Sequence, residues 1–210
     1  MILKSGGAIP ERANVTILFA KLRGFTLMAD TLDPPAVLAR VSEFSALVAA
    51  AVERHEGTVV NVLNDTLMAT FAGQGDTPRA VQAAREIRRD VTILKAAWQH
   101  DHGIRAAVAM GLHGGAAVIG FAAGTTREQP LVIGDSVSVA ELLLHRARAG
   151  EIVVSKTIMD ALAGSRVVLE ARELPLFRIP PREPIRIFGV LLDTRLDFTW
   201  KRSGSAESSA

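Results

Sequence analysis

The hydrophobic and polar positions along the chain follow two different periods, which separates strands from helices. An almost continuous apolar run over 14–21 predicts a buried strand that ends at Lys21, just before a glycine turn. Over 34–57 the apolar residues recur at helical spacing. Prolines open this segment and Gly57 closes it, so we expect a helix between those two signals.

In the middle of the chain, predicted strands again alternate with a long helix. The segment 58–71 contains two β-type runs around Asn64-Asp65, a typical hairpin turn. A second long helix is expected over 77–101. The segment 104–122 is predicted to form two strands around Gly114-Gly115, as a second hairpin.

The C-terminal part predicts shorter elements. A short strand, a Gly-Asp turn and a helix capped by Gly150 are expected over 130–150, followed by a strand and a short helix over 151–164. Two or three further strands are expected within 166–193. This order predicts an α+β fold, with a mostly antiparallel sheet and two long helices on one face.

Composition narrows the function classes. The sequence has no cysteine, which excludes a disulfide framework, a thiolate zinc site and a cysteine nucleophile. The formal net charge is only +2, so we expect no nucleic-acid partner. No signal peptide and no apolar run of about 18 residues are found, so we expect a cytoplasmic location and no membrane segment. P-loop, dinucleotide-binding and H-E-x-x-H motifs are also absent.

Several polar residues are expected to face solvent or to have structural roles, and not to bind metal or take part in catalysis. His100 and His102 flank Asp101 at a helix end, where solvated side chains are expected more than a metal site. His113 is expected to be a structural histidine. A basic cluster on the second long helix, expected to be a solvated face, comprises Arg85, Arg88, Arg89 and Lys95.

Five segments, in this order, carry a resemblance to a known family: VTILFAKLRGFT, GTVVNVLNDTLMATF, GLHGGAAVIG, LVIGDSVSVAELL and GEIVVS. Together they resemble the class III adenylate/guanylate cyclase catalytic domain over about 14–192. The resemblance implies a ferredoxin-like βαββαβ core with additions, in a domain over 14–193. A tail over 1–13 and a disordered tail over 194–210 are expected to flank it.

The resemblance also implies a chemistry, two-metal phosphoryl transfer at a head-to-tail dimer interface. One subunit would supply two metal-binding aspartates. The other would supply purine-reading residues and an Asn/Arg pair that orients the ribose and stabilises the transition state.

This sequence departs from that pattern at most chemical positions. Lys21 occupies the first metal-aspartate position, whereas Asp65 keeps the second. The purine-reading positions hold Asn61 and Leu131, and the Asn/Arg positions hold Ser138 and Leu142. The positions that shape the backbone match the pattern, namely Gly24, Phe25, Thr26, Gly134 and Asp135.

We therefore expect a silent member of the family, a regulatory or dimerisation module that needs no cofactor and pairs with a second copy or another cyclase-like domain. An active but atypical purine nucleotidyl cyclase using Mg²⁺ or Mn²⁺ is an alternative, in which Arg146 would reach back one helical turn towards a phosphate. Nucleotide sensing without turnover, through backbone amides at 24–26, is another. We also expect Lys21 to form an ion pair with Asp65 in place of metal; the competing interpretation is a Lys21 that extends into solvent.

Overall fold

The computed structural model describes residues 11–122, 130–178 and 180–190. The strands of this part are β1 (Glu11–Arg23), β2 (Thr58–Leu63), β3 (Thr66–Ala72), β4 (Ala107–Phe121), β5 (Pro130–Ile133), β6 (Ile152–Ser155), β7 (Arg172–Glu173) and β8 (Ile187–Val190). The helices are α1 (Phe25–Thr31), α2 (Pro34–Arg54), α3 (Asp76–His102), α4 (Asp135–Arg146) and α5 (Lys156–Leu162).

One mixed sheet organises these elements, with strand order β2-β3-β1-β4-β6-β8-β7 and with β5 paired to the end of β4. The first four strands of this order are antiparallel to their neighbours, and only β4 and β6 pair in parallel. Together with α2 and α3 they form the ferredoxin-like core predicted from the sequence.

Alternation along β1 assigns the two faces of the sheet. Leu18 and Ala20 point into a cluster with α2 and α3, whereas Ile17 and Phe19 point into a cluster with α4. The two long helices therefore share one face, as expected, and α4 covers the other.

The predicted hairpin at Gly114-Gly115 is wrong, because β4 runs without interruption through both glycines. They pair with Thr16 and Val15 of β1. A side chain at Gly115 would collide with the hydroxyl of Ser136, so this glycine makes room for α4 instead of forming a turn.

Some boundaries also differ from the predictions. β1 begins at Glu11, inside the expected N-terminal tail, and α1 is an additional helix. α4 ends at Arg146 instead of at a Gly150 cap; the Gly150 amide donates to the carbonyl of Val108 instead, at 2.9 Å. The expected tail 194–210 and the last residues of the predicted domain lie outside the described residues.

The expectation of no membrane-length segment needs correction for α2. By length and composition alone, this helix is apolar enough to cross a membrane. Within the domain, however, Phe44, Val48, Ala51 and Val52 are buried against the sheet and α3, as in the core helix of a globular domain.

Candidate functional site

The end of β1 and the β2–β3 turn meet at Lys21 and Asp65. Lys21 is opposite Thr66 in the β1–β3 register, and the Leu22 amide donates to the Asp65 carbonyl at 2.8 Å. Asn64 takes a left-handed conformation, with φ of 49°, which asparagine tolerates better than most residues. The turn therefore holds the Asp65 carboxylate beside the end of β1.

Lys21 and Asp65 form the predicted ion pair. The Lys21 Nζ lies 3.2 Å from Asp65 Oδ1, and the Thr66 hydroxyl donates to the same oxygen at 3.1 Å. The exposed fractions of the Lys21 and Asp65 side chains are 28% and 13%. A carboxylate this sheltered needs compensation, and here an ammonium and a hydroxyl provide it.

The donor set at this point does not fit a pair of divalent cations. Mg²⁺ and Mn²⁺ require several oxygen ligands, and a two-metal clamp requires carboxylates that both ions share. Here one carboxylate is present, and its Oδ1 is engaged by an ammonium. Within the described ranges, no group of three or more His, Cys, Asp or Glu residues could hold a metal ion.

A second cation follows on the same face of β1. Arg23 donates from Nη2 to the carbonyls of Leu144 and Ala147, at 3.2 and 2.9 Å. These carbonyls belong to the C-terminal end of α4, where the helix dipole favours a positive charge. Arg23 thus ties the strand that carries Lys21 to the helix that carries Ser138 and Leu142. No local pattern in the sequence predicts this role of Arg23, since its partners are distant backbone carbonyls.

The remaining family positions lie on separate elements. Asn61 is exposed on β2, and Leu131 is 42% exposed on β5, a strand that approaches β2. On α4, Ser138 is exposed and Leu142 is partly buried. The structure thus joins Lys21 to Asp65 directly, and the other positions predicted from the resemblance present an amide, a hydroxyl and aliphatic groups.

The backbone geometry at position 24 explains why this residue is glycine. Its φ is 98°, and an added Cβ would collide with the backbone carbonyl of Arg105. The turn into α1, where Phe25 and Thr26 follow, therefore requires glycine.

His113 fits its predicted structural role. Its Nδ1 lies 2.8 Å from the Ser155 hydroxyl, which is fully buried. Burial lowers the pKa of His113, although the Asp135 carboxylate opposes that shift. Burial thus favours the neutral imidazole over the charged one at this position.

The comparisons with known proteins agree with this geometry. The family model for the adenylate and guanylate cyclase catalytic domain matches residues 8–187. An adenylate cyclase of Anabaena cylindrica is 26% identical over 77% of this chain, and adenylate cyclase 1 of Rhizobium meliloti is 27% identical over 82%. The matched regions are 33% and 26% of those proteins, so the chain spans about a third or a quarter of their length.

A solved structure shows the same fold. The adenylyl cyclase CyaB from P. aeruginosa superposes with a TM-score of 0.80 at 22% identity, covering 91% of this chain and 100% of the other. The family match covers most of the sequence, including both strands that meet at Lys21 and Asp65. The chain therefore belongs to the class III adenylate and guanylate cyclase catalytic domain family.

Proposed function

We propose that this domain is a catalytically silent member of the family that acts in signalling as a regulatory and dimerisation module. The observation that carries the proposal is the Lys21–Asp65 ion pair, which occupies the point where the resemblance predicts two metal-binding aspartates. The geometry supports a site in which a fixed ammonium takes over the charge balance of bound cations.

Electrostatic magnitudes favour a silent site. Two unit charges 4 Å apart interact by about 4 kcal/mol at an effective dielectric near 20, so a dication beside Lys21 would be repelled by roughly twice that. The position of the transition-state arginine holds Leu142. Losing an equivalent arginine costs on the order of 10³ to 10⁵ in rate in related phosphoryl-transfer enzymes.

An exposed apolar surface supports the dimerisation part of the proposal. β2 and β5, which approach each other, carry side chains that a monomer would leave in water. The exposed fractions are 47% for Val62, 42% for Leu131 and 65% for Ile133. The proposed occupant is a second copy of the chain or another cyclase-like domain.

A cyclase assay tests the silent site. The wild-type protein is incubated with ATP, GTP, CTP or UTP, in Mg²⁺ and in Mn²⁺, and no cyclic nucleotide is expected. Lys21→Asp is the informative control, because it restores a second carboxylate without restoring the Asn/Arg positions. Metal-dependent product from the wild type that disappears in Asp65→Ala would instead establish the atypical active cyclase.

Sedimentation tests the dimerisation part. We expect the wild type to associate at micromolar concentration and Leu131→Glu/Ile133→Glu to sediment as a monomer. Lys156→Glu, an exposed charge change on α5, is the control and should leave association unchanged. A monomeric wild type that also fails to pair with other cyclase-like domains would contradict the proposal.

Nucleotide sensing without turnover remains the second candidate, and the tight turn at Gly24 favours it. Backbone amides in such turns bind phosphate oxygens. Calorimetry with non-hydrolysable ATP and GTP analogues would distinguish a sensor, which binds without turnover, from a purely structural module, which binds neither.

A further inference from the structure

Charges on α3 are segregated between two sides of the helix. The carboxylate of Glu86 faces α2, where it contacts Arg54 and lies 2.8 Å from Nε2 of His55. Arg89 lies one helical turn from Arg85, but its Nε pairs with Asp90 at 2.7 Å and its Nη2 lies 3.7 Å from a Glu86 oxygen. The carboxylates of Glu86 and Asp90, in the middle of α3, thus already pair with residues at the end of α2 or with α3 itself.

The other side carries cations alone. Arg85, Arg88 and Lys95, here called the basic stripe, follow one another at helical spacing over about 15 Å. Among the described residues, no carboxylate lies within salt-bridge distance of any of the three. The basic cluster seen in the sequence therefore divides into Arg89, which is neutralised, and the basic stripe, which is not.

The basic stripe has a fixed end beside an apolar side chain. Arg85 donates to the backbone carbonyl of Val168, and the Val168 side chain is 69% exposed. Burial and the nearby Arg85 guanidinium lower the pKa of Arg88, so two like charges are held together at a cost. An anionic group that bound here would relieve this repulsion.

We propose that the basic stripe and Val168 form a docking surface for an acidic protein segment that presents carboxylates at helical spacing together with one apolar side chain. Charge complementarity determines the chemistry, and Val168 provides the apolar contact. The two acidic side chains nearest in sequence, Glu86 and Asp90, already have partners.

The size of the basic stripe favours a protein partner over a nucleic acid or a membrane. Each cation contributes only about 1 kcal/mol at an anionic membrane, and nucleic-acid binding grows with the number of phosphates contacted. Three cations on a chain of net charge +2 are few for either. They match the few carboxylates that a short acidic protein segment presents.

The test uses two synthetic helical peptides of 16 residues, each labelled with fluorescein. One carries glutamates at i, i+3, i+7 and i+10 beside a leucine, and the other has the same composition in shuffled order. Binding to the purified domain is followed by fluorescence anisotropy at two salt concentrations. We expect the registered peptide to bind at least tenfold more tightly than the shuffled one, and more weakly at high salt.

Matched variants locate the site. Arg88→Glu should weaken binding of the registered peptide at least tenfold. Arg148→Glu, the same charge change at an exposed arginine just after α4, should weaken it less than threefold. Arg88→Gln serves as a second variant if Arg88→Glu lowers the melting temperature. The proposal is overturned if the peptides bind equally or not at all, or if the two charge reversals have equal effects. Tighter binding to phosphatidylserine vesicles or to an oligonucleotide than to the peptide would also overturn it.

Discussion

Two regions of the domain differ in how strictly they constrain their residues. One is the contact between β4 and α4, and the other is the end of β1. At the first, glycine is required, since a Cβ on Gly111 would fall inside van der Waals distance of the α4 backbone at Ala140 and Leu144. At the second, Lys21 is partly exposed and its ammonium contacts a side-chain carboxylate instead of backbone atoms. The first region fixes how closely a helix approaches the sheet, and the second only determines which charge sits beside Asp65.

This difference explains which parts of the family pattern the sequence keeps. Gly24 and Gly134 match the pattern because an added Cβ would press on backbone atoms of Arg105 and Ala116. The exposed chemical positions, such as Asn61 and Ser138, carry no such packing requirement. The fold therefore constrains these glycines and leaves the exposed positions free to vary in chemistry.

Gly111→Ala should give the largest effect on stability. Its Cβ would lie 2.5 Å from the Ala140 carbonyl oxygen and 2.9 Å from the Leu143 carbonyl carbon, and backbone atoms cannot move aside without separating α4 from the sheet. We expect the free energy of unfolding, measured by urea denaturation, to fall by about 3 to 5 kcal/mol.

Gly114→Ala is the matched control on the same strand. The nearest heavy atoms to its added Cβ lie 3.6 Å away or further, which is ordinary contact. Its expected change is within about 1 kcal/mol. Equal losses for the two variants would show that the β4–α4 contact is not the rigid part of the domain.

Lys21→Ala should give the next largest effect, because it leaves the sheltered Asp65 carboxylate without its cation. The expected loss in unfolding free energy is about 1 to 3 kcal/mol, between the values typical of exposed and of buried pairs. Lys156→Ala, which removes an exposed pair with Asp160, is the control and should cost less than about 1 kcal/mol.

Lys21→Asp extends this test to metal binding. Two carboxylates at the end of β1 should lower the melting temperature without metal, and Mn²⁺ should restore it, because a ligand bound only by the native state stabilises that state. Wild-type protein should show no such Mn²⁺ dependence. A wild type that Mn²⁺ stabilises as much as the variant would contradict the charge-replacement interpretation.

The order and type of the elements could be predicted from the sequence because hydrophobic periodicity and turn residues report local structure directly. The same signals failed at Gly114-Gly115, where two adjacent glycines are typical of a turn but β4 continues and Gly115 accompanies the close approach of α4. That approach is a tertiary fact, so no local pattern could reveal it.

The candidate site was predictable only where the resemblance supplied the geometry. The resemblance brought Lys21 and Asp65 to one point, and the structure agrees. Arg23 escaped prediction because its partners are backbone carbonyls more than 120 residues away along the chain. The division of the basic cluster also depends on which side chains α2 presents to α3.

Substitution of His113 should have a smaller effect, seen as a change in how the free energy of unfolding depends on pH. Burial lowers its pKa in the folded state, so protonation favours the unfolded chain. Its contribution to stability is therefore present above the unfolded pKa of about 6.5 and is lost as pH falls below it. We expect His113→Gln to reduce the difference in unfolding free energy between pH 7.5 and 5.5. An unchanged difference would show that the imidazole does not titrate with unfolding.

Substitution of Glu86 should have the smallest effect on the free energy of unfolding. Burial alone would raise the pKa of Glu86, but hydrogen bonds from His55 and Arg54 outweigh it and leave the pKa below its usual value. A lowered carboxyl pKa contributes stability above the unfolded value of about 4.3, and that stability is lost as pH falls through the folded value. Because Arg54 is largely exposed, with 55% of its side chain accessible, we expect the contribution to stay below about 1 kcal/mol. Glu86→Gln should flatten the decline in stability between pH 5 and 3, measured by urea denaturation. An equally steep decline in the variant would show that Glu86 does not carry the acid sensitivity of the α2–α3 contact.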